Sequence, residues 1–568
     1  MSAVVMGNEE SSLNKDAGAP WGGQSETVPR VQYDAVMKEN AELQKQLAQM
    51  KAATGQKFPS EMTNGTRGLE CPMGVMTDSY KATHFHMYPE CRSMTAYGEF
   101  RAQYKGVGVD DDRFIFYGMR HCIENLVARR WTRADVEAAE AFYSTHNAGA
   151  TPYPFPKDLF LKFIDEHDGY FPVVIEALPE GTVAYVRTPV FIITAEGESS
   201  RLCTFLETVL DMVWYPSCVA TLSRFVRDVI EEAFVQSVDE ELFWLADSRL
   251  HDFGFRGCTC VEQSVLGGAA HLLNFGGSDT MSACYHVQYH LNGGRPVGSS
   301  IPATEHSVMT AWPSEEAAML NEIDKYGHSL YACVMDSYDY DYALNTVLPK
   351  VADKVKEKGG VIVLRPDSGD PMSQVLKGLK AAEATFGASV NKKGYKLLNN
   401  SAVIQGDGVN YNSVKEILEG VMKEGYAATN VAFGMGGGLL QKMNRDTMSF
   451  ATKLSHIVYE DGTERDVMKT PKSSSAKISL PGRLFVGRVN GVPTVFPQED
   501  PACKSVEPVM RVVYNKGPVA GAFEDFDDVR ARVKAQWAAL PKKGPCFSAT
   551  FQAKIDRILA ERHYVSEG

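Results

Sequence analysis

The sequence predicts an α/β protein: an irregular (β/α) barrel inserted in an α+β domain. Three observations lead there. Seven short apolar or strand-like segments between Leu250 and Gly438 end in polar or glycine residues, the form taken by parallel strands that deliver side chains to one end of a sheet. Helical periodicity lies between several of them, most clearly at Val414, Ile417, Leu418, Val421 and Met422. Before residue 240 and after residue 450 this alternation gives way to α+β material.

At 568 residues the chain is too long for one hydrophobic core. The sequence divides into an extension (1–70), a first α+β half (71–240), the barrel (241–450) and a second α+β half (451–568). With 44% hydrophobic and 23% charged residues the composition is globular, and a net charge of −13 argues against a general nucleic-acid binder. No run of about 18 apolar residues is present, so no membrane span is expected. No charged segment leads into an apolar stretch at the N-terminus, so no secretory signal is expected. The 11 cysteines are scattered; Cys258 and Cys260 stand close, as C-x-C, and there is no CxxC pair, which suits a reduced, cytoplasmic protein.

In chain order, the extension is polar, Gly/Ser/Glu-rich and mostly disordered by composition. Within it Tyr33, Val36, Asn40, Leu43, Leu47 and Met50 form a heptad seam, a short coiled-coil helix or else a solvated amphipathic one. Gly74 to Tyr80 and Ser93 to Phe100 carry strand-like signals, and Phe114 to Trp131 and Ala134 to His146 read as helices. Val173 to Ala177 and Thr182 to Ala195 read as strands with Gly181 in the turn, followed by helices over Phe205 to Trp214 and Leu222 to Phe234. The seven strand ends follow: Leu250–Gly254, Leu272–Asp279, Ser299–His306, Leu330–Asp339, Gly360–Gly369, Ala402–Gly408 and Asn430–Gly438. Past residue 450, Asn490-Gly491 marks a two-residue hairpin within Leu484 to Phe496. Val509 to Ala522 reads as a second hairpin and Phe526 to Leu540 as a helix, a tail expected to pack back on the first half.

The barrel ends concentrate the chemistry. Val361 to Leu364 is a β-branched run stopped by Arg365, Pro366, Asp367, Ser368 and Gly369, because proline cannot continue a central ladder. Asp367 can accept ribose hydroxyls or hold Mg²⁺, and Arg365 can pair with phosphate; a local Arg–Asp bridge is the plain alternative. Phe433 runs into Gly434-Met435-Gly436-Gly437-Gly438, where backbone N–H groups can approach a phosphate, or where a tight turn simply needs glycine. Gly406-Asp407-Gly408, one strand earlier, favours the phosphate reading. His306, preceded by Glu305, is a lone histidine that Asp336 could orient. Arg256 is a candidate diphosphate ligand, and Phe253 either stacks on a flat ring or belongs to the core.

The motifs TDSYK, FYG, LHDFGFRG, HLLNFGGSDT, IPATEHS, DSYD, RPDSG, VIQGDGV, FGMGGGLLQK and PGRL occur here in one order. Through them the chain, from about Gly74 to Phe526, resembles the nicotinate/nicotinamide phosphoribosyltransferase family, and within it the nicotinamide-using enzymes. The resemblance implies a homodimer whose active sites lie at the subunit interface, with nicotinamide, phosphoribosyl pyrophosphate and ATP as ligands and Mg²⁺ as cofactor. It implies a nicotinamide ring held between Phe253 and Tyr80 of the partner subunit, with Asp279 reading the amide and Arg365 the amide or ribose. Asp367 would take the ribose hydroxyls, and Gly406, Asp407, Gly436 and Gly437 would line the ribose and 5′-phosphate. Arg445 and Lys453 match phosphate ligands given by the other subunit, and Arg101, Arg256 and Lys477 match pyrophosphate-side residues. His306 matches a histidine phosphorylated by ATP, supported by Glu305 and Asp336. One departure stands out: the family's phosphate-binding serine is Ala451 here, with Thr452 or Ser449 as the nearest hydroxyls.

Overall fold

A computed structural model describes residues 71–148, 151–471 and 477–565. The heptad seam and the rest of the extension lie outside the described residues.

The first α+β stretch contributes helix α1 (Ser79–Met87) and strands β1 (Cys91–Phe100), β2 (Val173–Ala177) and β3 (Pro189–Glu196), then the long helix α2 (Trp214–Ser237). The parallel region supplies β4 (Leu250–Asp252), α3 (Val261–Leu272), β5 (Gly277–Ser278), α4 (Glu315–Tyr326) and β6 (Leu330–Val334). It continues with β7 (Val361–Arg365), α5 (Pro371–Phe386), β8 (Ser401–Gln405), α6 (Tyr411–Lys423) and β9 (Val431–Met435). Strands β10 (Phe450–Tyr459), β11 (Glu464–Asp466), β12 (Leu484–Val489), β13 (Val492–Pro497) and β14 (Arg511–Asn515) follow.

Two sheets organise these strands. One has the order β11-β10-β1-β3-β2-β14, so the late strands β10, β11 and β14 flank a centre made of the early strands β1, β3 and β2. The other is parallel, in the order β5-β4-β9-β8-β7-β6. It is curled, and a single irregular stretch reaches both of its edges. Ser299 pairs with Gly277 beside β5, while the Thr304 N–H donates to the Ala332 carbonyl of β6 at 2.9 Å. Inside the curl Ala332, Val363, Ile404 and Ala432 pack together under Phe253 and Ile301. These mostly small residues fill the interior, so the accessible chemistry is left to the strand ends.

Local signals explain the helices. Asn410 caps α6 by accepting from the N–H groups of Asn412 and Ser413, and Val414, Ile417, Leu418 and Val421 form its buried face. Asp370 caps α5 with Pro371 at its first position. At the Asn490-Gly491 turn both residues take positive φ, 50° and 84°, the geometry a two-residue hairpin demands.

Four expectations are corrected. Gly74 to Tyr80 is no strand but a short 3₁₀ turn leading into α1. Phe114 to Trp131 begins as a strand, Arg113–Ile115, paired with Val183–Tyr185, and becomes helical only past Gly118, whose φ is 104°. The helices expected over Phe205 to Trp214 and Leu222 to Phe234 are present: short helical turns run from Glu207 to Val213, and α2 continues from Trp214 to Ser237 with Pro216 in its first turn. Leu272 ends α3, so the strand there shrinks to two residues; a short apolar run does not by itself distinguish helix from strand. Val509 to Ala522 is not a regular hairpin, because β14 pairs with β2 instead.

Glu322 on α4 gives the core a pH-dependent element. Its side chain is buried, and burial pushes the carboxyl up to about 8, with the nearby Cys333 thiol working against that rise. The unfolded chain releases this proton near 4.5, the folded chain only near 8. Stability from this group is therefore fully present below about 4.5 and is lost as pH rises to about 8. Glu322→Gln should raise the melting temperature relative to wild type increasingly from pH 5 to pH 8; an offset equal at all pH values in calorimetry would contradict this.

Candidate active site

The ends of β4 to β9 bring most of the expected residues to one place. After β4 the chain turns at Phe253, whose N–H donates to the Met435 carbonyl of β9 at 3.1 Å. Its ring lies against the backbone at Gly406 and Gly434, and the Arg365 guanidinium stands 5.9 Å from the ring centroid. Arg365 pairs with Asp367 at 3.1 Å, so the local Arg–Asp bridge does form, but within the site.

His306 sits between two carboxylates: its Nε2 is 3.7 Å from Asp336 and 3.6 Å from Asp367. Its Nδ1 is 3.1 Å from the Ser337 hydroxyl. Asp336 in turn accepts the Asp367 N–H at 2.9 Å and the Ser368 hydroxyl at 2.5 Å through Oδ2, while its Oδ1 is buried with no hydrogen-bond partner. Glu305 is instead engaged by the Ser307 hydroxyl. Across the mouth, Asp279 Oδ1 accepts the Ser300 hydroxyl at 2.5 Å and stands 3.4 Å from His251 Nδ1.

Arg256 is exposed on the turn after Phe253, and Asp407 is exposed beyond β8. Gly436 and Gly437 lead from β9 into a one-turn helix. Gln441 ties that turn back to the Phe253 turn by donating to the Gly254 carbonyl at 2.9 Å. Gly438 faces the Val409 carbonyl, which a Cβ would approach to 2.6 Å, so a glycine is needed where the chain after β9 meets the loop after β8.

The remaining expected residues gather elsewhere, at the β1/β10 side of the antiparallel sheet. Arg101 Nε donates to the Ser449 carbonyl at 3.0 Å, and Arg445 lies 3.8 Å from Asp211. Lys453 is partly buried, and burial holds its ammonium below the usual range. Tyr80 is half exposed on α1, next to Lys81, which pairs with Glu207. Lys477 is exposed. Among the described residues, no hydrogen bond, ion pair or ring contact joins a functional side chain of this group to one at the barrel ends.

Sequence reasoning did not single out Ser300, Ser337, His251 or Asp211. The first three stand within or beside the quoted motifs, but their roles come from strand ends distant in sequence. Asp211 is nearly buried, and burial pushes its carboxyl up to about 7. It accepts the Thr452 hydroxyl at 2.6 Å, and Ser449 accepts Lys105 Nζ at 2.8 Å. Both hydroxyls near Ala451 are thus already engaged.

Residues 248–517 match the Nicotinate phosphoribosyltransferase (NAPRTase) family, and residues 73–175 match the Nicotinamide phosphoribosyltransferase, N-terminal domain. The fold is similar to that of human nicotinic acid phosphoribosyltransferase, with a TM-score of 0.53, 17% identity and coverage of 85% of this chain and 100% of that one. It is also similar to nicotinate-nucleotide pyrophosphorylase from Pyrococcus furiosus, with a TM-score of 0.52, 14% identity and coverage of 84% and 98%. The family match defines a phosphoribosyltransferase. A nicotinamide phosphoribosyltransferase of Xanthomonas campestris pv. campestris (strain 8004) is 40% identical over 422 residues, 72% of this chain and 86% of the relative. One of Acinetobacter baylyi is 27% identical over 81% of this chain and 96% of its own length. The chain belongs to the nicotinamide phosphoribosyltransferase family.

Proposed function

We propose that the protein joins nicotinamide to phosphoribosyl pyrophosphate, giving nicotinamide mononucleotide and pyrophosphate in NAD salvage. The observation that carries this is the convergence, on one curl of strand ends, of an aromatic platform (Phe253), an amide acceptor (Asp279) and the Arg365–Asp367 pair. The pyridine nitrogen attacks C1 of the ribosyl donor as pyrophosphate leaves, through an oxocarbenium-like transition state. The attacking nitrogen has a free lone pair, so no general base is required. The chain's task is to hold the reactants in line and to balance the leaving anion with cations such as Arg256. Mass measurement of nicotinamide mononucleotide from the two substrates tests the reading; no product would end it.

Asp336 and Asp367 fit a partial Mg²⁺ shell. Among the described residues no group of three or more His, Cys, Asp or Glu could hold a metal unaided, but Mg²⁺ commonly needs one or two carboxylates plus substrate phosphates. The unpartnered Asp336 Oδ1 supports this. Bound there, the ion would neutralise charge on the pyrophosphate.

ATP would act through His306. Two carboxylates face Nε2 at 3.6 and 3.7 Å, which favours the proton on Nε2 and leaves the Nδ1 lone pair toward the Ser337 hydroxyl. Nδ1 is then the phosphoryl acceptor. His306→Ala should still form nicotinamide mononucleotide, with weaker donor affinity and without stimulation by ATP; undiminished stimulation would rule out the role.

A homodimer would unite the two groups of residues, with Tyr80, Arg445 and Lys453 of one subunit meeting the barrel ends of the other. Their separation within one chain supports this arrangement. Among the described residues no helix is long and apolar enough to cross a membrane, and the free thiols suit the cytoplasm.

A further inference from the structure

Beneath the pyridine site lie two buried oxygens that the reaction does not use. Asp252, the last residue of β4, is fully buried. Its Oδ1 accepts the Gly254 N–H at 2.7 Å, which fixes the turn carrying Phe253. Its backbone carbonyl accepts the Asp279 N–H at 3.0 Å. Its Oδ2 is buried without a hydrogen-bond partner, and so is the hydroxyl of Thr280, the residue after Asp279. The same glycine of α3 faces both side chains: a Cβ on Gly268 would stand 3.1 Å from Asp252 Oδ2 and 3.5 Å from Thr280 Cγ2. Burial raises the Asp252 carboxyl to about 6, and the Gly254 N–H works against that rise. A buried acceptor and a buried donor on side chains that meet at the same glycine, each without another partner, are expected to pair.

We propose that Asp252 and Thr280 are a positioning pair for pyridine recognition. The Thr280 hydroxyl closes on Asp252 Oδ2, so one buried carboxylate ties the turn holding the Phe253 ring to the strand end holding Asp279. The pair touches no substrate. It sets the spacing between the surface on which the ring stacks and the carboxylate that takes the amide, and therefore rests on the assignment of nicotinamide to Phe253 and Asp279. Asp279 Oδ1 is already held by Ser300 and faced by His251, so the Thr280 link fixes the backbone from which that carboxylate projects.

The test uses the full-length enzyme and compares Thr280→Val, which keeps shape and loses the hydroxyl, with Thr280→Ser, which keeps the hydroxyl. A displacement of about 1 Å in a reacting group can cost about a hundredfold, so a partial loosening is expected to raise the KM for nicotinamide by about tenfold in Thr280→Val. The preference for nicotinamide over nicotinate should fall by a similar factor, while the KM for phosphoribosyl pyrophosphate stays within about twofold. Thr280→Ser should restore all three values. Equal changes in both KM values would mark a merely structural pair and overturn the proposal, as would a Thr280→Val enzyme that behaves as wild type. Asp279→Ala and Phe253→Ala are measured alongside. If these leave nicotinamide use untouched, the assignment of the pyridine site fails, and the pair fails with it. If they impair nicotinamide use while Thr280→Val does not, the positioning pair alone is wrong.

Discussion

Asp279→Ser should erode the enzyme's preference for nicotinamide over nicotinate by at least about tenfold, chiefly by weakening nicotinamide. An ionised carboxylate only accepts hydrogen bonds, so Asp279 can take one from the amide NH₂. Ser300 and His251 both lie on Oδ1, which leaves Oδ2 for the substrate. Nicotinate would instead bring a second anion into contact. Two unit charges about 3.5 Å apart repel by about 5 kcal/mol at an effective dielectric near 20. Arg365, 3.1 Å from Asp367, and His251 can offset part of that, so a wild-type preference of at least about a hundredfold is expected rather than the full value. The ratio of kcat/KM for the two pyridines, wild type against variant, measures it. Equal use of nicotinate by the wild type would move the chain's substrate to that of the acid-using sister enzymes.

The parallel strand ends were the most legible part of the fold, because each joins a short apolar run to a stop that physical chemistry enforces. Val361 to Leu364 ends at Arg365-Pro366, and the strand in the structure ends at Arg365. Ser299 to His306 was legible in the same way although it forms no regular strand, since its polar end still supplies His306. Residues 114–131 were misread because apolar residues there serve a strand and then a helix, with the switch hidden at Gly118. The site was legible where one motif holds its own partner, as Arg365 and Asp367 do. It was not legible where the partner comes from another strand end: nothing local in Ser337 announces His306, and nothing in Thr452 announces Asp211, 241 residues away. Burial is the common obstacle. Asp211 and Asp252 read as ordinary acidic residues until the fold removes them from water.

Gly434→Ala should lower kcat/KM for nicotinamide by at least about a hundredfold in a protein that still folds. Gly434 is inside β9, where any residue could extend the strand, so its lack of a side chain must have another cause. That cause is Phe253. A Cβ at 434 would lie 2.0, 2.2 and 2.5 Å from three carbons of the Phe253 ring. A rigid ring cannot yield by a small rotation at its tip, so it must shift by roughly 1.5 Å to regain ordinary contact near 3.5 Å. Gly406 leaves little room on one side, where a Cβ would already be 3.3 Å from the same ring. The open direction is the mouth of the site, where the pyridine is expected to stack. Overpacking of this kind typically costs about 1–3 kcal/mol, which a chain of this size tolerates, so the loss should appear in activity before it appears in folding. The double variant Gly434→Ala/Phe253→Leu separates the two causes. If the clash is the mechanism, the second glycine change adds little to the defect of Phe253→Leu alone, a coupling expected between residues in contact. Additive losses would place the role of Gly434 elsewhere, and a Gly434→Ala enzyme with wild-type kcat/KM would show that the ring does not rest on that backbone.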